Sequence, residues 1–192
     1  MKNQVAVAIR SREKKPESLC ESVLFTAEQC LDLLPFRPGT VADVSWKPLH
    51  PNHDERGWLC ELFRHDEMPG DVQPAMGYLS ETLPGATRGP HEHLQQTDNF
   101  CFFGPTTFKL YLWDNRSESP TYLCHEIAVI GGARPMSVTI PPGVVHAYRN
   151  VGAVVGLIVN CPNRLYRGDG RGDPVDEVRH EDDPRSAFRV YV

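Results

Sequence analysis

A chain of 192 residues with a formal net charge of −5 is the natural size of one domain with a sizeable core, and it has no basic excess with which to hold nucleic acid. Nothing in it approaches the roughly 20 consecutive apolar residues of a membrane span. The N-terminal MKNQVAVAIRSREKK lacks the continuous apolar run of a signal peptide. The six cysteines, Cys20, Cys30, Cys60, Cys101, Cys124 and Cys161, are scattered with no CxxC pair, which fits reduced, buried thiols in a cytoplasmic protein.

In chain order, Ser18–Glu21 and Thr26–Gln29 read as capping boxes, and Leu31, Leu33 and Leu34 follow before Pro35. The pattern predicts one or two short helices in an N-terminal extension over residues 1–40. From Val41 the pattern changes to short strands between turn residues: VADVSW, WLCELF, MGYLSETL, FCFF, TFKLYLW, TYLCHEIAVI, SVTI, VHAYRNV and VVGLIVN. Phe108, Leu110 and Leu112 alternate with Lys109, Tyr111 and Trp113, the period of a half-buried strand. Most of the 17 prolines and 15 glycines fall between these runs. The punctuation predicts an all-β antiparallel sandwich or jelly roll over residues 41–166. The polar residues 167–192 read as a tail packed on the barrel rather than a second domain.

Chemistry concentrates in two stretches. In RGPHEHLQQTDNF, residues 88 to 100, His91 and His93 are two apart, so on a strand both point into the barrel or both away. In PPGVVHAYRN, residues 141 to 150, a tight turn precedes a strand carrying His146. A lone HxH is more often an exposed or hydrogen-bonded pair, and PPG is mostly turn chemistry. Found together, the two predict a polar pocket inside the barrel.

These stretches resemble the two cupin motifs, HxH and PxGxxHxxxN, which implies a cupin-type jelly roll, the double-stranded β-helix barrel. The second motif is matched at every fixed position. The first lacks its usual glutamate four residues after the second histidine, where Thr97 stands. Gln96 and Asp98 flank that place, but a regular strand turns both away from the histidine face. Three inward imidazoles, His91, His93 and His146, suit a divalent transition metal, with water or a nearby oxygen ligand completing the shell.

A longer resemblance runs from about Val41 to Tyr166. DERGWLCE (54 to 61), RGPH (88 to 91), WDNRSESPTY (113 to 122) and IPPGVVHAY (140 to 148) stand in the order of corresponding stretches in the dTDP-4-dehydrorhamnose 3,5-epimerase family of cupins. The resemblance implies that Arg56 and Glu61 contact a nucleotide-sugar, that Arg88 meets its diphosphate, and that His91 is the catalytic base. It places the base's carboxylate partner in the C-terminal segment, where Asp182 and Asp183 are candidates. His93 and Tyr148 join the substrate contacts. Guanidinium groups are the expected partners of a diphosphate. Read from the residues alone, Arg56 and Glu61 are surface ion-pair formers. The epimerase reading requires no cofactor and implies a homodimer.

Departures from the family bear on the outcome of the reaction. His93 stands where the epimerases have glutamine, which makes RGPHEH similar to the RGxHxH motif of the sugar 3,4-ketoisomerases. No lysine or arginine lies between His93 and Gly104, and VVGLIVNCP (154 to 162) has no tyrosine; the family places a substrate-directed lysine and its catalytic acid at these two places. The expectation is an isomerase acting next to the ketone of a dTDP-linked 4-keto-6-deoxy sugar, most simply an epimerase. A 3,4-ketoisomerase, a metal-dependent cupin on another small substrate and a non-catalytic sugar-binding cupin remain the alternatives.

Overall fold

The computed structural model describes residues 5–6, 24–25 and 35–191. The chain divides into two units, residues 1–35 and 36–192. In the first, β1 (Val5–Ala6) pairs antiparallel with β2 (Leu24–Phe25). The two capping-box stretches, 18–21 and 26–29, lie outside the described residues.

The second unit is built on two sheets. The six-stranded one runs β15 (Val178–Arg179), β8 (Thr87–Glu92), β13 (Val144–Asn150), β10 (Thr107–Asp114), β11 (Cys124–Gly131) and β3 (Arg37–Pro38). The five-stranded one runs β4 (Ser45–Pro48), β12 (Met136–Ile140), β9 (Asp98–Phe102), β14 (Gly156–Asn160) and β7 (Tyr78–Thr82). Every pairing is antiparallel except β11 with β3. A separate exposed hairpin joins β5 (Asn52–Asp54) to β6 (Gly57–Leu59). This is the expected all-β jelly roll of cupin type. Among the described residues the only helical pieces are single 3₁₀ turns.

The core lies where alternate side chains of both sheets meet. Phe108, Leu110 and Leu112 of β10 pack there with Phe100 and Phe102 of β9, Val138 of β12 and Ile158 of β14. The other face of β10 differs from the half-buried expectation. Tyr111 and Trp113 are 1% and 4% exposed, because Phe36 and the chain end at Ala187, Phe188 and Val190 pack over them. Phe188 sits edge-on to Trp113 with ring centroids 5.9 Å apart.

The WDNRSESPTY stretch closes the turn after β10. Asp114 is fully buried and accepts hydrogen bonds from Arg116 Nε and Nη2 (each 2.9 Å), Ser119 Oγ and Thr121 Oγ1 (each 2.5 Å). Burial alone would raise its pKa, but the Arg116 guanidinium and the two hydroxyls outweigh that and bring it down to about 2. Arg116 in turn packs under the PPG turn: a Cβ on Gly143, whose φ is +75°, would come within 2.7 Å of Arg116 Cγ. The Gly143 amide donates to the His93 carbonyl at 2.8 Å. The second motif is thereby tied to the first.

Candidate functional site

The site is assembled by a fault in strand pairing. On β13 and β8, His146 stands opposite His91 and Tyr148 opposite Arg88, so β8 carries one extra residue between the two pairs. Three residues apart on a regular strand, Arg88 and His91 would face opposite ways. The bulge puts both against inward residues of β13, and both line the cavity. Gly89 makes this possible. Its φ is +78°, and a Cβ there would lie 2.5 Å from the His146 carbonyl oxygen.

Beyond β8 the chain turns at His93 and crosses to the opposite sheet, where Asp98 opens β9. The expectation that Asp98 points away from the histidines is corrected here. Residues 93–97 form no strand, so alternation counted along β8 does not carry across, and Asp98 shares the inward face of Phe100 and Phe102. Asp98 Oδ2 lies 3.1 Å from His93 Nε2 and 3.3 Å from His146 Nε2. One potential ligand atom from each of His91, His93, Asp98 and His146 falls within 4.8 Å of the others.

Each member has its own support. Asp98 Oδ1 accepts from Gln96 Nε2 at 2.9 Å and Asn160 Nδ2 at 2.8 Å. His146 Nδ1 lies 3.1 Å from the Val144 carbonyl. His93 Nδ1 bonds the Asp176 carbonyl, and its Nε2 is 3.2 Å from the Gln96 amide nitrogen. The Asp176 carboxylate accepts the backbone N–H groups of Leu94, Gln95 and Gln96 at 2.8–2.9 Å, which clamps the C-terminal segment onto the turn after His93. His91 Nδ1 faces Glu177 Oε1 at 3.9 Å. Behind β8, Glu92 accepts from Asn115 Nδ2 at 2.9 Å and meets His180 Nε2 at 3.0 Å.

Burial and neighbours set the charge states. Burial, then the nearby His146 and His93, push the His91 pKa down to about 2, so its imidazole is neutral. Burial pulls His93 the same way, but the Asp98 carboxylate overrides it and raises His93 to about 9. For Asp98 burial acts upward, and hydrogen bonding and charge from His146 and His93 reverse it, holding the carboxyl well below its usual range.

The cavity above these residues has a volume of about 1720 Å³. His91, His93, Arg88 and Tyr148 line it together with Tyr78 and Ser80, and residues 163–181 supply much of its wall. Asp98 and His146 lie beneath its floor, each 1% exposed. Arg88 Nη2 donates to the Glu81 carbonyl at 2.8 Å, and the Tyr148 hydroxyl is 3.4 Å from Ser80 Oγ. Burial raises the Tyr78 phenol to about 12, so it keeps its proton.

Other candidates stand outside this cavity. Arg56 pairs with Asp54 at 2.5 Å on the β5–β6 hairpin, its side chain 83% exposed. Glu61 lies 3.7 Å from Arg64. Asp183 accepts from the Arg185 backbone N–H at 2.9 Å. Asp182 is exposed. The C-terminal carboxylate that faces His91 is Glu177, brought there because Val178 and Arg179 pair with Glu92 and His91 as β15. Nothing in the acidic run DEVRHEDDP singles out that member. The VR pair that sets its register is too short to read as a strand.

No family model matches the chain. A probable low-salt glycan biosynthesis epimerase of Haloferax volcanii is 37% identical over 128 residues, 66% of this chain and 81% of that protein. Among solved structures, a dTDP sugar isomerase of Desulfovibrio desulfuricans superposes with a TM-score of 0.64 at 24% identity, covering 76% of this chain and 85% of its own. A 4-keto-6-deoxy sugar epimerase from the novobiocin cluster of Streptomyces spheroides gives 0.61 at 22% identity, over 81% and 78%.

Proposed function

Since the chain belongs to the dTDP-4-dehydrorhamnose 3,5-epimerase family of cupins and is an enzyme of isomerase type, we propose that it removes the proton next to the ketone of a dTDP-linked 4-keto-6-deoxy sugar, with His91 as the base. The observation that carries this reading is the placement of His91. It is a neutral imidazole lining the cavity, and a carboxylate, Glu177, faces its Nδ1. The negative charge on that side favours the tautomer with its proton on Nδ1 and leaves Nε2 as the acceptor. Loss of the carbon proton gives an enolate, which positive charge or donated hydrogen bonds stabilise. Arg88 at the wall offers a guanidinium for the diphosphate, and the Tyr148 and Tyr78 hydroxyls offer hydrogen bonds to the sugar. Arg56, on the exposed hairpin, and Glu61, two residues beyond it, belong to the same substrate-binding reading.

Epimerisation and ketoisomerisation share this first step. The convergence of His93 with His91 and His146 favours the second outcome as the alternative, because RGxHxH is the motif of the ketoisomerases. The same reading makes the protein a cytoplasmic homodimer. Its support is the free, buried thiols of Cys101, Cys124 and Cys161 and the exposed Leu79 and Leu157 on adjacent strands. No helix among the described residues is long and apolar enough to cross a membrane.

The test is solvent exchange. In heavy water with dTDP-4-keto-6-deoxyglucose, deuterium should enter C3, C5 or both. Inversion at those carbons marks an epimerase, and transfer of the carbonyl to C3 marks a ketoisomerase. His91→Asn should lower exchange roughly 10²–10⁴-fold with the fold kept. Exchange by that variant at the parental rate removes His91 as the base.

A further inference from the structure

Loss of the carbon proton leaves a flat enolate, and the face on which it regains a proton decides whether the carbon is inverted. His91 stands on β8, so it meets the substrate from the wall that the six-stranded sheet makes. Inversion needs a proton donor on the facing wall. Tyr78 opens β7, the edge of the five-stranded sheet, and lines the cavity. Tyr148 lines it too, but on β13, beside β8 in the sheet of the base. Ser80 shares the wall of Tyr78, but its hydroxyl meets that of Tyr148 at 3.4 Å, and an alkyl alcohol is a far weaker acid than a phenol. Tyr166 lies on neither sheet, in the wall formed by residues 163–181.

The hydrogen bonds around Tyr78 leave its proton free to be given away. Asn160 of β14 is its cross-strand partner. The Asn160 side-chain oxygen accepts the Asn99 backbone N–H at 3.1 Å. That fixes the amide with its nitrogen turned to the Tyr78 hydroxyl and Asp98 Oδ1, at 3.0 and 2.8 Å. An amide nitrogen only donates, so the Tyr78 oxygen accepts and the phenolic proton takes no part in the bond.

We propose that Tyr78 is the acid of the reaction and returns a proton to the enolate on the face opposite His91. This rests on the isomerase reading with His91 as base. His91 Nε2 takes the carbon proton, and the electron pair of the broken C–H bond passes into the enolate. The Tyr78 O–H bond then breaks, its proton bonds to the carbon from the other side, and its electron pair stays on the phenolate oxygen. The Asn160 N–H stabilises that phenolate, which makes Asn160 a positioning residue. Tyr78 is 44% exposed, so water can return a proton to it, and solvent likewise takes the proton from His91. Between turnovers the phenol, raised to about 12 by burial, holds its proton at neutral pH. β14 has no tyrosine of its own; its edge neighbour supplies the hydroxyl.

The experiment separates exchange from inversion, in heavy water with dTDP-4-keto-6-deoxyglucose. The full-length parent should show both. Tyr78→Phe should keep the parental circular dichroism spectrum and exchange deuterium near the parental rate, while inversion falls roughly 10²–10⁴-fold. Equal losses of exchange and inversion would give Tyr78 a binding or structural role and overturn the assignment. Inversion at the parental rate overturns it as well. Tyr148→Phe and Tyr166→Phe are run alongside, and a split between the two rates in either of them, absent from Tyr78→Phe, moves the donor there. Should Tyr78→Phe not fold, the parent is given substrate deuterated at the inverting carbon in ordinary water. The inverted product should then carry no deuterium, because its new hydrogen comes from the phenol; deuterium kept through inversion means that one group serves both faces and removes Tyr78. A parent that moves the carbonyl and inverts no carbon overturns the role of Tyr78 and keeps the isomerase reading. A parent that neither exchanges nor inverts fails that reading, and the acid with it.

Discussion

At the scale of single residues the site depends most on Gly89, which contributes no functional group. Its positive φ and the 2.5 Å approach of a Cβ to the His146 carbonyl mean that Gly89→Ala must either strain or abolish the bulge. The expected cost is about 1–3 kcal/mol, read as a lowered urea midpoint. Deuterium exchange should fall as well, because a strand that relaxes to regular pairing turns Arg88 or His91 out of the cavity. A stable, active Gly89→Ala protein would show that the bulge is not what aims these residues. The sequence made His91, His93 and His146 legible as a converging set, since their spacing and the PPG turn carry the information. Asp98 was misjudged because strand parity holds only while the strand continues, and the chain leaves β8 at Glu92. Glu177 was unreadable because its position depends on pairing between residues about ninety apart.

At the scale of elements, most strands were visible from alternation and turn residues, from Tyr78–Thr82 through Gly156–Asn160. β8 was the hard one. Its Gly89 and Pro90 read as breakers, yet here they are the bulge. WLCELF shortened to Gly57–Leu59, since the strands of that hairpin are exposed at every position and have no buried face to extend them. The turn closed by Asp114 carries a pH prediction. Its folded pKa, about 2, lies below the ordinary 3.8, so its contribution is complete above about pH 4 and is lost as pH falls through about 2. That contribution is about 2 kcal/mol. Urea unfolding followed across this window should show a shallower acid slope for Asp114→Asn than for the parent. Equal slopes would mean that the charge of Asp114 does not support the turn.

At the scale of the whole molecule, the barrel and its chain end have different kinds of stability. Strands β9, β10, β12 and β13 are buried on most positions. The segment from Asp176 to Glu181 lies at a sheet edge. It is held by the two-residue pairing of β15, the amides taken by Asp176, the His180–Glu92 contact and the backbone bonds to Pro90. Yet this segment delivers Glu177 to His91 and the Asp176 carbonyl to His93. Such weakly anchored stretches open locally at free energies well below that of global unfolding. Amide hydrogens of residues 176–181 should therefore exchange with solvent faster than those of β10 and β13, as mass spectrometry of peptic fragments would show. Equal protection would mean that segment and barrel open as one unit. Unequal protection has a practical consequence. The temperature at which the protein stops working is then set by a few hydrogen bonds at one strand edge, and a melting curve that follows the barrel overstates the range in which the enzyme is usable.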